Sequence, residues 1–309
     1  MKAVRFHEFG DPQVLRSDDV DTPRPGAGEV RVRVAATTFN GIDATIRAGA
    51  MQGPFPVALP HVPGVEVAGT VDALGPGVEG LAVGDPVVGF LPMIADGAAA
   101  EFVLAPADVL VAAPTTIPLA DAAALPMVAL TAWQSLFDHG GLTAGRRVLV
   151  VGAGGAVGRY AVQLAAAAGA HVVAVAAPRH REALLALGAA EVVDPAATPR
   201  TEPVDLALNL APVEPEQLAA LAGLVRDGGA VVATTVWMPA PSDEARGVRG
   251  VDVFVRSDAA QLAELVARVD SGELQVDVAE RVPLAQLAEV HARAGAGALP
   301  GKVVVLVGG

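Results

Sequence analysis

Cysteine is absent from the 309 residues, lysine occurs only at Lys2 and Lys302, and aromatic residues make up 4% of the chain. The missing thiol removes disulfides, thiolate nucleophiles, iron–sulfur ligation and every cysteine-containing zinc site. With so little lysine, a formal net charge of −13 and scattered arginines, no basic face is available to neutralise nucleic-acid phosphates. Long unbroken apolar runs are also missing. The most apolar stretch, VLVVGAGGAVGRYAVQLAAAAGAHVVAV from Val148 to Val175, is interrupted by glycines and by Arg159 and Gln163, so no bilayer span is expected. The opening MKAVRFHEFGDPQVL reaches a charge within two residues and lacks the apolar core of a signal peptide, so a cytoplasmic location is expected. His7, His61, His139, His171, His180 and His291 form no pair at a ligand spacing, and no metal site is expected.

What is present suits two buried cores: 52% of the residues are hydrophobic. Short β-prone runs, EVRVRVAATTF, VEVAGTVDALG, DPVVGFL and AEFVLAPADVLVA, are punctuated by Gly, Pro and Asp. That pattern predicts an irregular antiparallel, barrel-like domain. Past residue 115 the rhythm lengthens. DAAALPMVALTAWQSLFDHG reads as helix. From residue 147 the strands RVLVVG, HVVAVA, AEVVD, VDLALNL and AVVATTV alternate with helical AVGRYAVQLAAAAG, REALLALG and PEQLAALAGLVRDGG. Such alternation predicts an α/β domain with a doubly wound parallel sheet. After VDVFVRS come an amphipathic helix, a β-like piece around VAERVPL, a further helix and a last strand, GKVVVLVGG, expected to rejoin the first domain. The expected division is a mainly β substrate domain over 1–115 and 257–309 and a dinucleotide-binding domain of the Rossmann type over 116–256.

Glycine stands at Gly152, Gly154, Gly155 and Gly158, between an aliphatic strand and a helix at the first βα turn of the doubly wound run. Glycine serves any tight turn, but in this context the helix N-terminus is placed to receive a pyrophosphate. The spacing is one residue longer at its end than the common G-x-G-x-x-G. No carboxylate stands at the tip of the second strand to hold a ribose 2′-hydroxyl. Arg179 and Arg181 follow instead, with His180 between them, and paired guanidiniums suit a 2′-phosphate. NADP(H) is therefore expected over NAD(H).

The chain resembles the zinc-independent quinone oxidoreductase branch of the medium-chain dehydrogenase/reductase superfamily along nearly its whole length. The resemblance is carried by FNGID (N-x-x-D), PGVEVAGTV with the later GDPVV, AAALPMVALTAW and GAGGAVG. It implies a GroES-like first domain, Asn40 and Asp43 as candidate catalytic residues facing the nicotinamide, and a homodimer joined edge to edge near VDVFV. Further implied coenzyme contacts are Thr131, Ala156, Val157, Leu210, Thr235, Val236, Phe254 and Val255. Metal-dependent relatives read G-H-E where this chain reads Gly64-Val65-Glu66, which again implies no zinc. Other departures are Asp194-Pro195 in place of D-Y, NLAPVEP in place of D-x-V-G-G, and Trp237 in the nicotinamide-facing segment. The only tyrosine, Tyr160, lies on the coenzyme helix, which leaves product protonation to solvent or an unassigned group.

Three function classes follow from this reading. The first is an NADPH-dependent, metal-free reductase of quinones or α,β-unsaturated carbonyls (enones and enals). The second is an NADP(H)-binding protein with little catalysis, a sensor or structural partner. The third is a repurposed biosynthetic enzyme of the same fold, such as a cyclase.

Overall fold

A computed structural model describes residues 1–196, 202–235 and 238–308. In chain order the strands and helices begin with β1 (Lys2–Phe6), β2 (Leu15–Asp19), β3 (Glu29–Thr38), α1 (Gly41–Arg47), β4 (Glu66–Leu74), β5 (Pro86–Phe90), β6 (Phe102–Pro106), β7 (Leu110–Ala112), α2 (Leu119–Ala122) and α3 (Pro126–Trp133). They continue with β8 (Arg147–Val151), α4 (Ala156–Ala167), β9 (His171–Val175), α5 (Arg181–Ala186), β10 (Glu191–Val193), β11 (Val204–Asn209), α6 (Pro215–Leu224), β12 (Val225–Ala233) and β13 (Arg249–Asp252). The last are α7 (Ala259–Asp270), β14 (Glu280–Pro283), α8 (Leu287–Gly295) and β15 (Val303–Leu306). The chain divides into one unit of Met1–Met127 with Ser257–Gly309 and a second of Val128–Arg256.

In the first unit, β14, β15, β3, β4, β5 and β7 form a sheet in that order, with β6 also paired to β3. Strand β3 shows the period-2 logic: Val30, Val32 and Val34 are buried while Arg31 and Arg33 alternate outward. C-terminal β15 pairs with β3 antiparallel, so the tail completes the sheet begun near the N-terminus. Helix α7 starts where Asp258 accepts the Gln261 N–H at 3.0 Å, and it buries Leu262, Leu265, Val266 and Val269 at helical spacing.

The sequence rhythm changes near residue 115, whereas the first unit runs to Met127. Tertiary packing accounts for the difference. Helix α2 lies on β3 and β4, and its Asp121 takes two bonds of 2.7 Å from Arg281 of β14.

The second unit is a six-stranded parallel sheet in the order β10-β9-β8-β11-β12-β13. Its strands are near-continuous apolar runs, as expected where helices cover both faces. Leu149, Val173, Ala207 and Val231 from four neighbouring strands share one buried cluster with Leu218 and Leu221 of α6. Strand order reverses between β8 and β11, and in open α/β sheets the carboxyl ends at such a reversal form the ligand crevice. Among the described residues, no helix is long and apolar enough to cross a membrane.

Candidate functional site

The glycine loop of the second unit begins where β8 ends. Gly152 sits at φ +83°, a left-handed conformation that side chains rarely adopt. Its N–H and that of Ala153 both reach Val175 O at 3.1 Å, which ties the loop to the tip of β9. Gly155 is the N-cap of α4 and offers no side chain to cap it. The first N–H groups of α4, on Ala156, Val157 and Gly158, therefore lack intrahelical acceptors and side-chain caps at the positive end of a twelve-residue helix. At Gly158 a Cβ would stand 2.4 Å from Gly152 O and 2.6 Å from the Ala153 Cα, so only glycine lets α4 approach the loop this closely.

The other expected contacts of this unit lie along the strand ends. Leu210 follows β11 and donates its N–H to Val151 O at 3.0 Å, which sets it beside the loop. Buried Asn209 points Nδ2 toward Thr235 Oγ1 at 3.5 Å, and its Oδ1 has no partner among the described residues. A cavity of about 220 Å³ opens at the carboxyl ends of β12 and β13, lined by Ala233, Thr235, Val253 and Phe254 among others. Phe254 is 58% exposed, Val255 is half-buried, and Thr131 is buried on α3. Val236 and Trp237 lie outside the described residues.

The two arginines beyond β9 differ. Arg181 donates from Nη1 to Val192 O at 2.8 Å, which fixes the start of α5 to β10. Arg179 is exposed on the single turn Pro178–His180, with no carboxylate at ion-pair distance among the described residues. The cation at the strand tip is thus Arg179, while Arg181 serves as a strut between elements.

The first unit holds a second polar group of residues around Asn40 and Asp43. Asn40 caps α1, and Asp43 in the first turn accepts the Asn40 N–H at 2.9 Å on one carboxylate oxygen and the Gly64 N–H at 3.0 Å on the other. The Asn40 amide donates to Glu66 Oε2 at 2.9 Å and to Thr38 Oγ1 at 3.3 Å. Its oxygen accepts Lys302 Nζ at 2.7 Å. An ammonium only donates and a carboxylate only accepts, so the orientation of the amide is fixed. Lys302 also reaches Glu66 Oε2 at 2.6 Å, the Thr38 hydroxyl donates to the same oxygen, and the Met127 N–H meets Glu66 Oε1 at 2.7 Å. Exposure is 0% for Glu66, 3% for Asp43, 5% for Lys302 and 7% for Asn40. Burial pushes the Asp43 carboxyl up to about 6, a rise restrained by the Gly64 and Asn40 N–H groups and by the Lys302 charge.

Both expected catalytic residues therefore sit in one buried network, with Asn40 giving both amide hydrogens to neighbours. Sequence reasoning missed Glu66 and Lys302 as members. The available signal was a lysine, one of only two in the chain, set directly before the apolar run VVVLV. Dehydrogenases that hold a catalytic metal need an open donor set, and this one does not fit a metal cation. The Glu66 carboxylate already engages an ammonium, an amide, a hydroxyl and a backbone N–H.

The reversal of strand order, the uncapped glycine loop on it and the GroES-like first sheet define a dinucleotide-binding dehydrogenase/reductase architecture. The alcohol dehydrogenase GroES-like domain family matches residues 26–115, and the zinc-binding dehydrogenase family matches residues 187–305. The chain is 38% identical over 200 residues to the chloroplast envelope quinone oxidoreductase homolog of Arabidopsis thaliana, covering 63% of this chain and 61% of that protein. It thus spans about three fifths of the length of the curated relatives it matches. Among solved structures, the quinone oxidoreductase from Coxiella burnetii matches with a TM-score of 0.90 at 25% identity, covering 100% of this chain and 99% of that one. A mycobacterial protein solved in complex with NADPH matches with a TM-score of 0.83 at 30% identity over 99% of each chain. The chain belongs to the quinone oxidoreductase branch of the medium-chain dehydrogenase/reductase superfamily.

Proposed function

We propose that this protein is an NADPH-dependent reductase that delivers a hydride to a quinone or an α,β-unsaturated carbonyl without a metal. One observation carries the reading: the uncapped start of α4, closed in by Gly152 and Gly158, lies on the switch strand β8, and the adjoining tip of β9 presents Arg179 where a ribose-binding carboxylate would stand. When bound, the reduced nicotinamide supplies the hydride; the chain supplies binding, orientation and exclusion of water. The N–H groups of Ala156, Val157 and Gly158 hold the pyrophosphate, with Gly155 leaving the helix start open to it and Gly154 lying under the His180 ring. Arg179 holds the 2′-phosphate, and Arg181 keeps the turn that carries Arg179 in place. Thr235, Phe254 and Val255 orient the nicotinamide end, with Thr131 and Leu210 completing its surroundings.

Asn40 and Asp43 act in this reading as positioning residues. Their hydrogen bonds fix the start of α1, and Lys302 gives that region a buried positive charge. Among the described residues no donor set fits a metal, and an acceptor with a conjugated carbonyl or quinone ring suits this site because its own π-system carries the negative charge that develops. The protein works as a homodimer joined along the β13 edge, in the cytoplasm.

The test is coenzyme consumption with a panel of quinones and a panel of enones, NADPH and NADH compared. NADPH oxidation with at least one acceptor class is expected. Tight NADPH binding with no turnover across both panels would overturn the catalytic reading in favour of a coenzyme sensor.

A further inference from the structure

His180 occupies a place that the coenzyme reading above leaves without a task. It ends the turn that starts at Pro178, and its backbone N–H is anchored to Ala177 O at 2.9 Å. Although it is the N-cap of α5, its imidazole does not cap the helix, and it has no hydrogen-bond partner among the described residues. Instead the ring lies flush against the glycine loop. A Cβ at Gly154 would stand 2.5 Å from His180 Cδ2, 2.8 Å from Cγ and 3.0 Å from Nε2. Gly154 has no positive φ, so its requirement for glycine is steric: a side chain there would collide with this imidazole.

Two further cations act on the charge of the ring: Arg179, which precedes it on the same turn, and Arg159 of α4. Gathering like charges beside a helix N-terminus is unfavourable by itself, because the macrodipole there also repels cations. An anion beside His180 and Arg179 offsets the repulsion between them. The position also selects which anion: the turn follows β9, the second strand of the doubly wound order, whose tip meets the ribose 2′ position in dinucleotide sites of this fold.

We propose that His180 is a specificity residue for the 2′-phosphate of the coenzyme and contacts it as the imidazolium, so that the protein takes up a proton when NADPH binds. In the free protein, partial burial first and then repulsion from Arg179 and Arg159 hold the imidazole below its ordinary range, which keeps it neutral near pH 7. A phosphate within contact distance favours the charged ring. The proton comes from solvent and resides on the imidazole; no bond is broken in the coenzyme. NADPH affinity therefore rises as pH falls from about 8 to 7, above the range in which the 2′-phosphate itself takes up a proton (about 6), while NADH affinity stays flat across the same range.

The inference rests on the coenzyme reading, and the experiment separates the two. Wild type, His180→Gln and His180→Ala are titrated calorimetrically with NADPH and with NADH, in buffers of different ionisation enthalpy, between about pH 7 and 8, where the 2′-phosphate is already the dianion. For wild type, proton uptake approaching one per NADPH is expected, with none for NADH. For both variants the uptake should vanish and NADPH should bind roughly tenfold more weakly, the size of one lost charge-assisted hydrogen bond, with NADH unaffected. His180→Gln retains a polar group of similar reach, so a fold defect confined to the alanine variant does not obscure the result. Unchanged NADPH affinity and unchanged proton uptake in the variants overturn the role of His180 and leave the coenzyme reading standing. Equal losses for NADH and NADPH overturn the 2′ assignment. Failure of wild type to bind either coenzyme removes both.

Discussion

The glycine loop of the second unit and the Glu66–Lys302 network of the first treat polar groups in opposite ways. Between Gly152 and Gly158 the chain leaves backbone donors without acceptors at a helix start. Around Glu66 every described polar side chain is buried and turned toward another, through partners separated by up to 262 residues in sequence. Open donors built from one short segment mark a place for a ligand. A closed network assembled from distant segments marks a place where the fold is fixed, because a buried charge is tolerated only when paired and hydrogen-bonded.

Breaking the closed network has the largest expected consequence. Lys302→Met leaves the Glu66 carboxylate buried without its cation, and denaturant unfolding should show a loss of about 3–5 kcal/mol. Combining it with Glu66→Gln should recover part of that loss, the coupling expected of residues in direct contact. In the open loop the effect shifts from stability to binding. Gly158→Ala forces backbone apart at Gly152 and Ala153, costing about 1–3 kcal/mol, and coenzyme titration should show affinity falling by more than the stability loss alone would suggest.

The network also carries a pH signature in stability. Asp43 titrates near 3.8 when unfolded and about 6 when folded, so the stability it contributes is fully present below pH 3.8 and is lost as pH rises through about 6. One proton gives a slope of at most about −1.4 kcal/mol per pH unit in that window. Asp43→Asn should remove this component from a stability profile measured between pH 4 and 7. His291 opposes it. Burial first, then the Arg47 guanidinium 3.0 Å away, hold its imidazole down to about 3, so its contribution is present above pH 6.5 and lost as pH falls toward 3. His291→Gln should weaken that acid-side decline.

The smallest stability changes belong to the arginine pair, and these variants sharpen the distinction between ligand and strut. Arg179→Ala should leave stability within about 0.5 kcal/mol, as at an exposed position, while NADPH affinity drops roughly tenfold. Arg181→Ala should cost about 1 kcal/mol through the lost bond to Val192 and weaken NADPH less.

The same contrast explains what was legible in the sequence. Strands β8 to β11, the glycine loop and the return of β15 to the first sheet depend on local apolar runs and turn residues, and the structure has them where the rhythm placed them; β12 is the exception, since it begins at Val225, inside the stretch VRDGG that the sequence rhythm assigns to the preceding helix. A tight turn at the glycine loop was legible by residue type, whereas the positive φ at Gly152 and the close approach of α4 at Gly158 come from the structure. Lys302 and Glu66 stand 236 residues apart, and no local period announces that an ammonium and a carboxylate will meet. The membership of residues 116–127 in the first unit was hidden for the same reason, since it depends on α2 packing on β3 and β4 and on Asp121 finding Arg281. Arg179 and Arg181 looked equivalent in PRHRE because nothing local announces which guanidinium meets the Val192 carbonyl of β10. Asn40 and Asp43 were singled out by resemblance, and their hydrogen bonds add what the motif does not state: both are engaged within the fold.

The most direct test is an equilibrium titration of the purified protein with NADPH and NADH at pH 7, followed by nicotinamide fluorescence. Saturable NADPH binding at least roughly tenfold tighter than NADH is expected from a guanidinium-bound 2′-phosphate. Binding of neither coenzyme, or tighter binding of NADH, would contradict the account.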